Sequence, residues 1–238
     1  VELHQIGRHA DDALRDGDCA TATHLRTRPF AIRGVVEHGD KNGRKLGFHS
    51  WHLVPKAAIL DPELTLGLPP LLTAATGMDA IAHCMETFMA PAVNPPADGI
   101  AFDGLQRGWA HIERATRNGQ DRDARWQMMS ASMQGAMAFQ KGLGCVHSLS
   151  HSLGGVNPKL HHGTLNAVIL PHSLAMIGNS AEEKFSRIRR ALGLAPNADL
   201  AQYIADLNAR IGLPPSLSAM GVNAEHGEGA IDYAVADL

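Results

Sequence analysis

The spacing of hydrophobic positions divides this chain into a short front part and a longer helical part. Within residues 29–60 the apolar side chains fall in short runs on either side of a turn-forming stretch at residues 39–43, which is typical of strands. After Leu71 they recur every three or four residues, the spacing of amphipathic helices. The pattern predicts a mainly α fold, in which an all-helical domain at residues 71–238 follows a partial α/β or β segment at residues 1–70.

Several stretches of the helical part have recognisable ends. Thr73 or Thr76 is a candidate N-cap of the first long helix, since a threonine hydroxyl can accept a hydrogen bond from the first turn. The stretch at residues 121–142 repeats methionines at helical spacing, and we expect them to fill the core. Two later helices should end at Gly193 and Gly212, because glycine readily adopts the left-handed conformation that closes a helix.

Composition restricts the class of protein. The 238 residues are 45% hydrophobic and 19% charged, which is ordinary for a packed globular protein. A net charge of -3 and an aromatic content of 5% provide neither a basic stripe nor a base-stacking surface, so we expect no nucleic-acid partner. The best membrane candidate, residues 167–177, is too short to cross a bilayer and contains Pro171 and His172.

The cysteines and the N-terminus predict the compartment. Cys19, Cys84 and Cys145 are an odd number without a CxxC spacing, which favours reduced thiols over a disulfide framework. Residues 1–4 begin no apolar signal core. We therefore expect a soluble, cytoplasmic protein.

Candidate chemistry is concentrated in a stretch at residues 143–163. Its surroundings are apolar and rich in glycine, and it contains four histidines: His147, His151, His161 and His162. Upstream, Asp79 and His83 stand four residues apart and so share one face of a helix. Imidazole and carboxylate are ligands that Zn²⁺ and Fe²⁺ favour. Spacing alone nominates as ligands Asp79, His83, His147 and His151, and leaves the roles of the other two histidines open.

The sequence around these residues resembles the iron-containing (group III) alcohol dehydrogenase family. The matching passages are DPELTLGLP at residues 61–69, TAATGMDAIAH at residues 73–83 and LGCVHSLSHSLGGVNPKLHHG at residues 143–163, which continues as TLNAVILPH to residue 172. The likeness covers residues 43–217. It implies a dehydroquinate synthase-like architecture, in which a helical metal-binding domain follows an α/β cofactor domain.

In that family one aspartate and three histidines of the helical domain hold Fe²⁺, which Zn²⁺ sometimes replaces. The resemblance implies that the metal ligands here are Asp79, His83, His147 and His162. It makes His151 a residue beside the metal that relays the substrate proton, and not a ligand. Because the loop after His151 is one residue longer than in some relatives, His161 competes with His162 for the fourth ligand position.

The resemblance further implies an oxidoreductase that transfers hydride between a primary or secondary alcohol, or an aldehyde, and NAD or NADP. Residues 1–70 then represent a remnant of the N-terminal cofactor domain. The family's GGGS turn and TTxGTGSE loop are both missing, and residues 23–29 read THLRTRP where the second should lie. The chain also stops at Leu238, before the family's usual end. A shortened dehydrogenase is therefore expected, and its cofactor-binding residues stay unassigned. A homo-oligomer is a separate expectation for the assembly of the chain.

Two other functions use the same candidate ligands. A metal-dependent hydrolase or lyase would activate a bound water at an open coordination position and would need no nicotinamide. A non-catalytic remnant would only bind metal, or would depend on a partner for the nucleotide. Nucleotide binding separates the dehydrogenase from both alternatives, and hydrolytic turnover separates the hydrolase from the remnant.

Overall fold

Helices make up the regular structure in the part of the chain that the computed structural model describes, residues 59–223, 225–227 and 230. From Leu60 onward these residues belong to one compact unit, Leu60–Leu238. The α-helices are α1 (Pro70–Met89), α2 (Pro95–Arg117), α3 (Arg122–Ala138), α4 (Cys145–Val156), α5 (His162–Ile177), α6 (Glu182–Ala191) and α7 (Leu200–Arg210). Short 3₁₀ helices lie at Pro62–Thr65, Phe139–Lys141, Gly178–Ala181 and Ser218–Met220. Within this described part, none of the helices is long and apolar enough to cross a membrane.

The mainly α fold predicted from the sequence is confirmed, and the described residues contain no strand. The predicted strand segment and the cofactor-domain remnant, residues 1–70, lie largely outside the described residues. Within residues 1–70, the described residues include the 3₁₀ helix Pro62–Thr65. Its N-cap, Asp61, accepts a hydrogen bond from the backbone N–H of Glu63. The domain boundary after residue 70 stays a prediction.

Helix α1 is the central helix of the Leu60–Leu238 unit. Buried residues occur on all its sides, from Ala74 and Met78 to Met85 and Phe88, as expected of a helix enclosed by neighbours. It packs against α2, α3 and α5, and α5 in turn contacts α4 and α7. The helix that carries Asp79 therefore lies in the middle of the helical unit.

The ends of the helices agree with the sequence pattern in part. Helix α1 begins at Pro70, which suits the first helical position because its missing N–H needs no partner there. Neither predicted threonine is the N-cap: Thr73 lies inside the helix, where its buried hydroxyl accepts a hydrogen bond from the Arg125 guanidinium at 2.6 Å. The predicted ends at Gly193 and Gly212 are confirmed, with φ angles of 68° and 78°.

The methionines of α3 are not its most buried residues, contrary to the prediction. Met137 is half exposed, whereas small residues such as Ala131 and Gly135 are buried. The reason is the close approach of α3 to α1, since a Cβ atom on Gly135 would lie 2.9 Å from the Cβ of His83. Only small side chains fit at such a contact.

Candidate metal centre

Three helices bring most of the predicted site residues to one place. Helix α1 carries Asp79, α4 carries His147, and α5 begins at His162. Helix α5 approaches α1 closely because residue 163 is glycine: a Cβ atom there would lie 2.9 Å from the carbonyl carbon of Ala75. This contact sets the first turn of α5 against the turn of α1 that bears the aspartate.

Among the described residues, Asp79, His147 and His162 form a group whose ligand atoms all lie within 4.8 Å of one another. The Oδ1 atom of Asp79 is 3.4 Å from Nε2 of His147 and 3.5 Å from Nε2 of His162. His147 is buried and the other two are partly exposed, so the group lies at the edge of the core. One carboxylate and two imidazoles are donors suited to Fe²⁺ or Zn²⁺.

An amide nitrogen stands where the three ligand atoms converge. The Nδ2 atom of Asn166, one turn after His162 on α5, is 2.5 Å from Oδ1 of Asp79. It is 3.0 Å from Nε2 of His147 and 3.1 Å from Nε2 of His162. An amide has two protons for these three atoms, and the fully buried Oδ1 of the same side chain has no hydrogen-bond partner in the described structure. A cation could be bound by all three atoms at once when both Nε2 atoms are deprotonated, so the residues fit a divalent metal.

His83 lies beside this group, with its ring nitrogens outside it. Its ring centroid is 4.0 Å from that of His147. Its Nδ1 atom is 2.8 Å from the backbone carbonyl oxygen of Asp79 and 3.5 Å from the carboxylate of the same residue. The structure thus brings together three of the four predicted ligands and sets the fourth next to them.

His151 lies on the outer side of the same cluster. Its ring stacks on His162 with centroids 5.1 Å apart and planes 14° from parallel, and its side chain is exposed. The ring also stands edge-on to His147 at 5.9 Å. This position suits a group that exchanges protons between the centre and solvent, which is the role implied by the family resemblance.

The two adjacent histidines at the start of α5 have different surroundings. His161 is exposed and is the N-cap of the helix, where its Nδ1 atom accepts a hydrogen bond from the backbone N–H of Thr164 at 3.3 Å. His162 is the first helical residue and joins the metal-binding group. The geometry therefore favours His162 over His161 as a ligand.

Sequence reasoning missed a buried carboxylate and an amide that belong to the centre. Glu86 is 3% exposed and accepts hydrogen bonds from the backbone N–H groups of Val146 and His147 and from the imidazole of His147. Spacing could have indicated it, because Glu86 follows Asp79 by seven residues and so shares its helix face. Asn166 follows His162 by four residues and could have been found in the same way.

The electrostatics of the centre favour positive charge. Burial would raise the pKa of the Asp79 carboxyl, but the hydrogen bond with His147 and the charge of His83 hold it well below its usual range. Burial opposes protonation of His147, yet hydrogen bonds to Asp79 and Glu86 raise its pKa to about 9. The pKa of His83 is lowered by burial and then by the charge of His147. Two carboxylates thus stabilise one positive charge between them.

Relatives of the chain are known from sequence. The profile of the Fe-containing alcohol dehydrogenase family, C-terminal, matches residues 73–238. The chain is 63% identical over 226 residues to a 4-hydroxybutyrate dehydrogenase of Cupriavidus necator. The alignment covers 92% of this chain and 59% of that protein, so the chain spans about three fifths of the length of this relative.

Solved structures share the fold of the chain. A 1,3-propanediol oxidoreductase superposes with a TM-score of 0.74 at 33% identity, over 78% of this chain and 51% of that one. A sulfoacetaldehyde reductase from Bifidobacterium kashiwanohense, crystallised in complex with NAD⁺, superposes with a TM-score of 0.70 at 25% identity, over 78% of this chain and 49% of that one. With its family profile matched over more than half of its residues, the chain belongs to the iron-containing alcohol dehydrogenase family.

Proposed function

We propose that this chain is the metal-binding part of a dehydrogenase that transfers hydride between a small-molecule alcohol or aldehyde and NAD(P). The observation that best supports this function is the convergence of Asp79, His147 and His162 on the single amide nitrogen of Asn166. The relatives named above are dehydrogenases, oxidoreductases and reductases, which favours this function over the hydrolase, lyase and non-catalytic alternatives.

The proposed ligands of Fe²⁺ or Zn²⁺ are Asp79, His83, His147 and His162. The ring of His83 lies against that of His147, and its Nδ1 atom is 3.5 Å from the carboxylate of Asp79, which supports His83 as the fourth ligand. When bound, the cation supplies the positive charge that lowers the pKa of an alcohol hydroxyl and polarises an aldehyde carbonyl.

Alcohol oxidation releases one proton and one hydride, and the chain's own residues handle the proton. The imidazole of His151 accepts the hydroxyl proton and passes it to water, since its ring is exposed and stacks on that of His162. A bound nicotinamide would supply the hydride acceptor, so that the hydride leaving the carbinol carbon would have a destination and the carbonyl product could form. In the reverse direction the same imidazole returns the proton to the reduced aldehyde.

The proposed substrate is a primary alcohol with a carboxylate at its far end, such as 4-hydroxybutyrate. The 63% identity to the Cupriavidus necator enzyme supports this choice. The reductase crystallised with NAD⁺ supports a nicotinamide cofactor. The chain covers about three fifths of the Cupriavidus necator dehydrogenase, and the family's glycine-rich cofactor motifs are missing from its sequence. Nucleotide binding is therefore the first property to measure.

The test begins with the chain loaded with Fe²⁺ under anaerobic conditions and titrated with NADH and NADPH, with fluorescence as the readout. Saturable binding is expected, followed by reduction of 4-oxobutanoate to 4-hydroxybutyrate. The His162→Ala variant is the control and should lose turnover along with the metal. If metal binds but neither nucleotide does, dehydrogenase activity of this chain is contradicted.

A further inference from the structure

A buried carboxylate joins two of the helices that form the metal centre. Glu86 lies on α1, two turns after Asp79, and its side chain is 2% exposed. A carboxylate at such depth is costly unless hydrogen bonds satisfy it. Three donors do so here, and all of them belong to the first turn of α4.

Two of these donors are backbone groups that would otherwise lack a partner at the start of α4. The N–H of Val146 lies 2.8 Å from one carboxylate oxygen and the N–H of His147 lies 3.3 Å from the other. The N-cap of α4 is Gly144, which has no side chain to accept them. Glycine is also what makes room, because a Cβ atom at this position would lie 2.6 Å from Oε1 of Glu86.

The third donor is the imidazole of His147. Its Nδ1 atom is 2.5 Å from Oε2 of Glu86, and its Nε2 atom faces the carboxylate of Asp79 at 3.4 Å. A proton held on Nδ1 by Glu86 leaves Nε2, the atom that faces the other ligands, as the nitrogen that can give up its proton and offer a lone pair to a cation.

We propose that Glu86 is a positioning residue of the metal centre. Its carboxylate selects the Nδ1–H tautomer of His147 and anchors the start of the helix that carries both His147 and His151. This inference rests on the proposed metal-binding function. It gives the buried carboxylate of Glu86 the role of hydrogen-bond acceptor that a metal-binding histidine commonly requires on its second nitrogen.

The variant that isolates the tautomer is Glu86→Gln. Its amide oxygen can still accept a hydrogen bond from the start of α4, but its NH₂ group donates to Nδ1 and so favours a proton on Nε2 of His147. We expect Zn²⁺ affinity to fall 10- to 100-fold, the range found when an outer-shell partner is removed. Glu182→Gln is the matched control, because it removes the same charge from α6, where the carboxylate pairs with Arg189.

Two measurements separate positioning from simple stabilisation. Calorimetric titration with Zn²⁺ gives the affinity of the wild type and both variants. Nitrogen-15 NMR of the histidine rings gives the state of His147: a downfield, slowly exchanging Nδ1 proton should be present in the metal-free wild type and in Glu182→Gln, and absent in Glu86→Gln. A merely structural role would change the unfolding temperature without removing this signal selectively.

Each outcome decides a different claim. Failure of the wild type to bind Zn²⁺ or Fe²⁺ contradicts the proposed function, while the Nδ1 proton of the metal-free chain still tests the inference. Wild-type affinity and an unchanged His147 spectrum in Glu86→Gln overturn the inference and leave the metal site standing. If Glu86→Gln does not fold, the metal-free wild type decides: a slowly exchanging proton on Nδ1 of His147 supports the inference, and a proton on Nε2 alone overturns it.

Discussion

At the scale of single residues, neighbours in sequence have separate tasks in the centre. His161 caps helix α5 through Thr164, while His162, the next residue, turns its Nε2 atom toward Asp79. The two histidines differ in role because the helix begins between them. The side chain of the N-cap residue, His161, folds back onto the first turn, and that of the first helical residue, His162, points toward α1.

Substitution of each of these two histidines by alanine should therefore affect a different property. We expect His162→Ala to weaken Zn²⁺ binding at least 100-fold, because one of the converging imidazoles is lost. His161→Ala should keep the wild-type affinity within about twofold and lower the free energy of unfolding by about 1 kcal/mol through loss of the cap. Zn²⁺ titration and urea unfolding measure the two effects, and an interchange of the results would reassign the ligand.

A second pair of variants tests the proposed roles of His83 and His151. His83→Ala should release the metal, since it removes a proposed ligand. His151→Ala should retain the metal and slow alcohol oxidation by two to four orders of magnitude, the usual contribution of general acid–base catalysis. Metal content of the purified variants and the single-turnover rate provide the readouts. Metal loss from His151→Ala would show that the proton-relay assignment is wrong.

The sequence allowed the centre to be predicted only as far as residues recur at helical spacing or match a family motif. Asp79 and His83 were found from their i, i+4 spacing, whereas the choice of His162 depended on the resemblance. Spacing places Glu86 and Asn166 on the helix faces of Asp79 and His162, but it does not reveal their hydrogen-bond partners: 61 residues separate Glu86 from His147, and 87 separate Asn166 from Asp79. Hydrogen bonds across such distances leave no periodic pattern.

At the scale of the elements, close helix contacts decide where the ligands meet. Helix α5 touches α1 at Gly163, and a side chain there would collide with the backbone of Ala75. The contact cannot be relieved by a rotamer change, because the obstructing atoms belong to the main chain. The position of His162 relative to Asp79 therefore depends on this glycine.

Gly163→Ala should separate α5 from α1. We expect the free energy of unfolding to fall by about 2 kcal/mol, within the range for overpacked interiors, and Zn²⁺ affinity to fall with it. The control is Gly154→Ala on α4, whose added Cβ meets no atom within 4 Å. This control should stabilise the chain by up to about 1 kcal/mol through helix propensity. Equal stability of the two variants in urea would contradict the close-contact explanation.

The ends of the helices were predicted correctly at two glycines, whereas the burial of the α3 methionines was not, because the two properties depend on different parts of the structure. The stops at Gly193 and Gly212 depend on local backbone conformation and were correct. The expected burial of the α3 methionines was wrong, because their exposure depends on how closely α1 approaches Gly135. Hydrophobicity alone indicates which residues can be buried, and the spacing of helices selects among them.

At the scale of the whole molecule, the proposed metal would join three separate parts of the helical unit. Its ligands come from α1, α4 and α5, so the cation would bind the folded chain and have little affinity for the unfolded one. The expected homo-oligomer and the cytoplasmic location stay predictions, as does the cofactor remnant at residues 1–70. The mainly α fold itself followed from the helical spacing after Leu71.

Metal removal should consequently destabilise the protein. Free Zn²⁺ at one hundred times its dissociation constant should add about 2.7 kcal/mol to the free energy of unfolding, which corresponds to a rise of about 5–10 °C in the unfolding temperature for a chain of this size. Scanning calorimetry with Zn²⁺ and then with a chelator measures the difference. The His162→Ala variant, with at least 100-fold weaker binding, should gain at most about 0.4 kcal/mol, and a response equal to that of the wild type would indicate binding elsewhere.

The tight backbone contacts around the centre have a consequence for its mutational tolerance. At Gly135, Gly144 and Gly163 an added Cβ would press on His83, on Glu86 and on the main chain of Ala75 respectively. None of these glycines offers a donor atom to a cation. In a library of all single substitutions selected for activity, variants at these three glycines should nevertheless be depleted almost as strongly as variants at the ligands. The positions that tolerate no substitution would therefore include more residues than those that bind the metal.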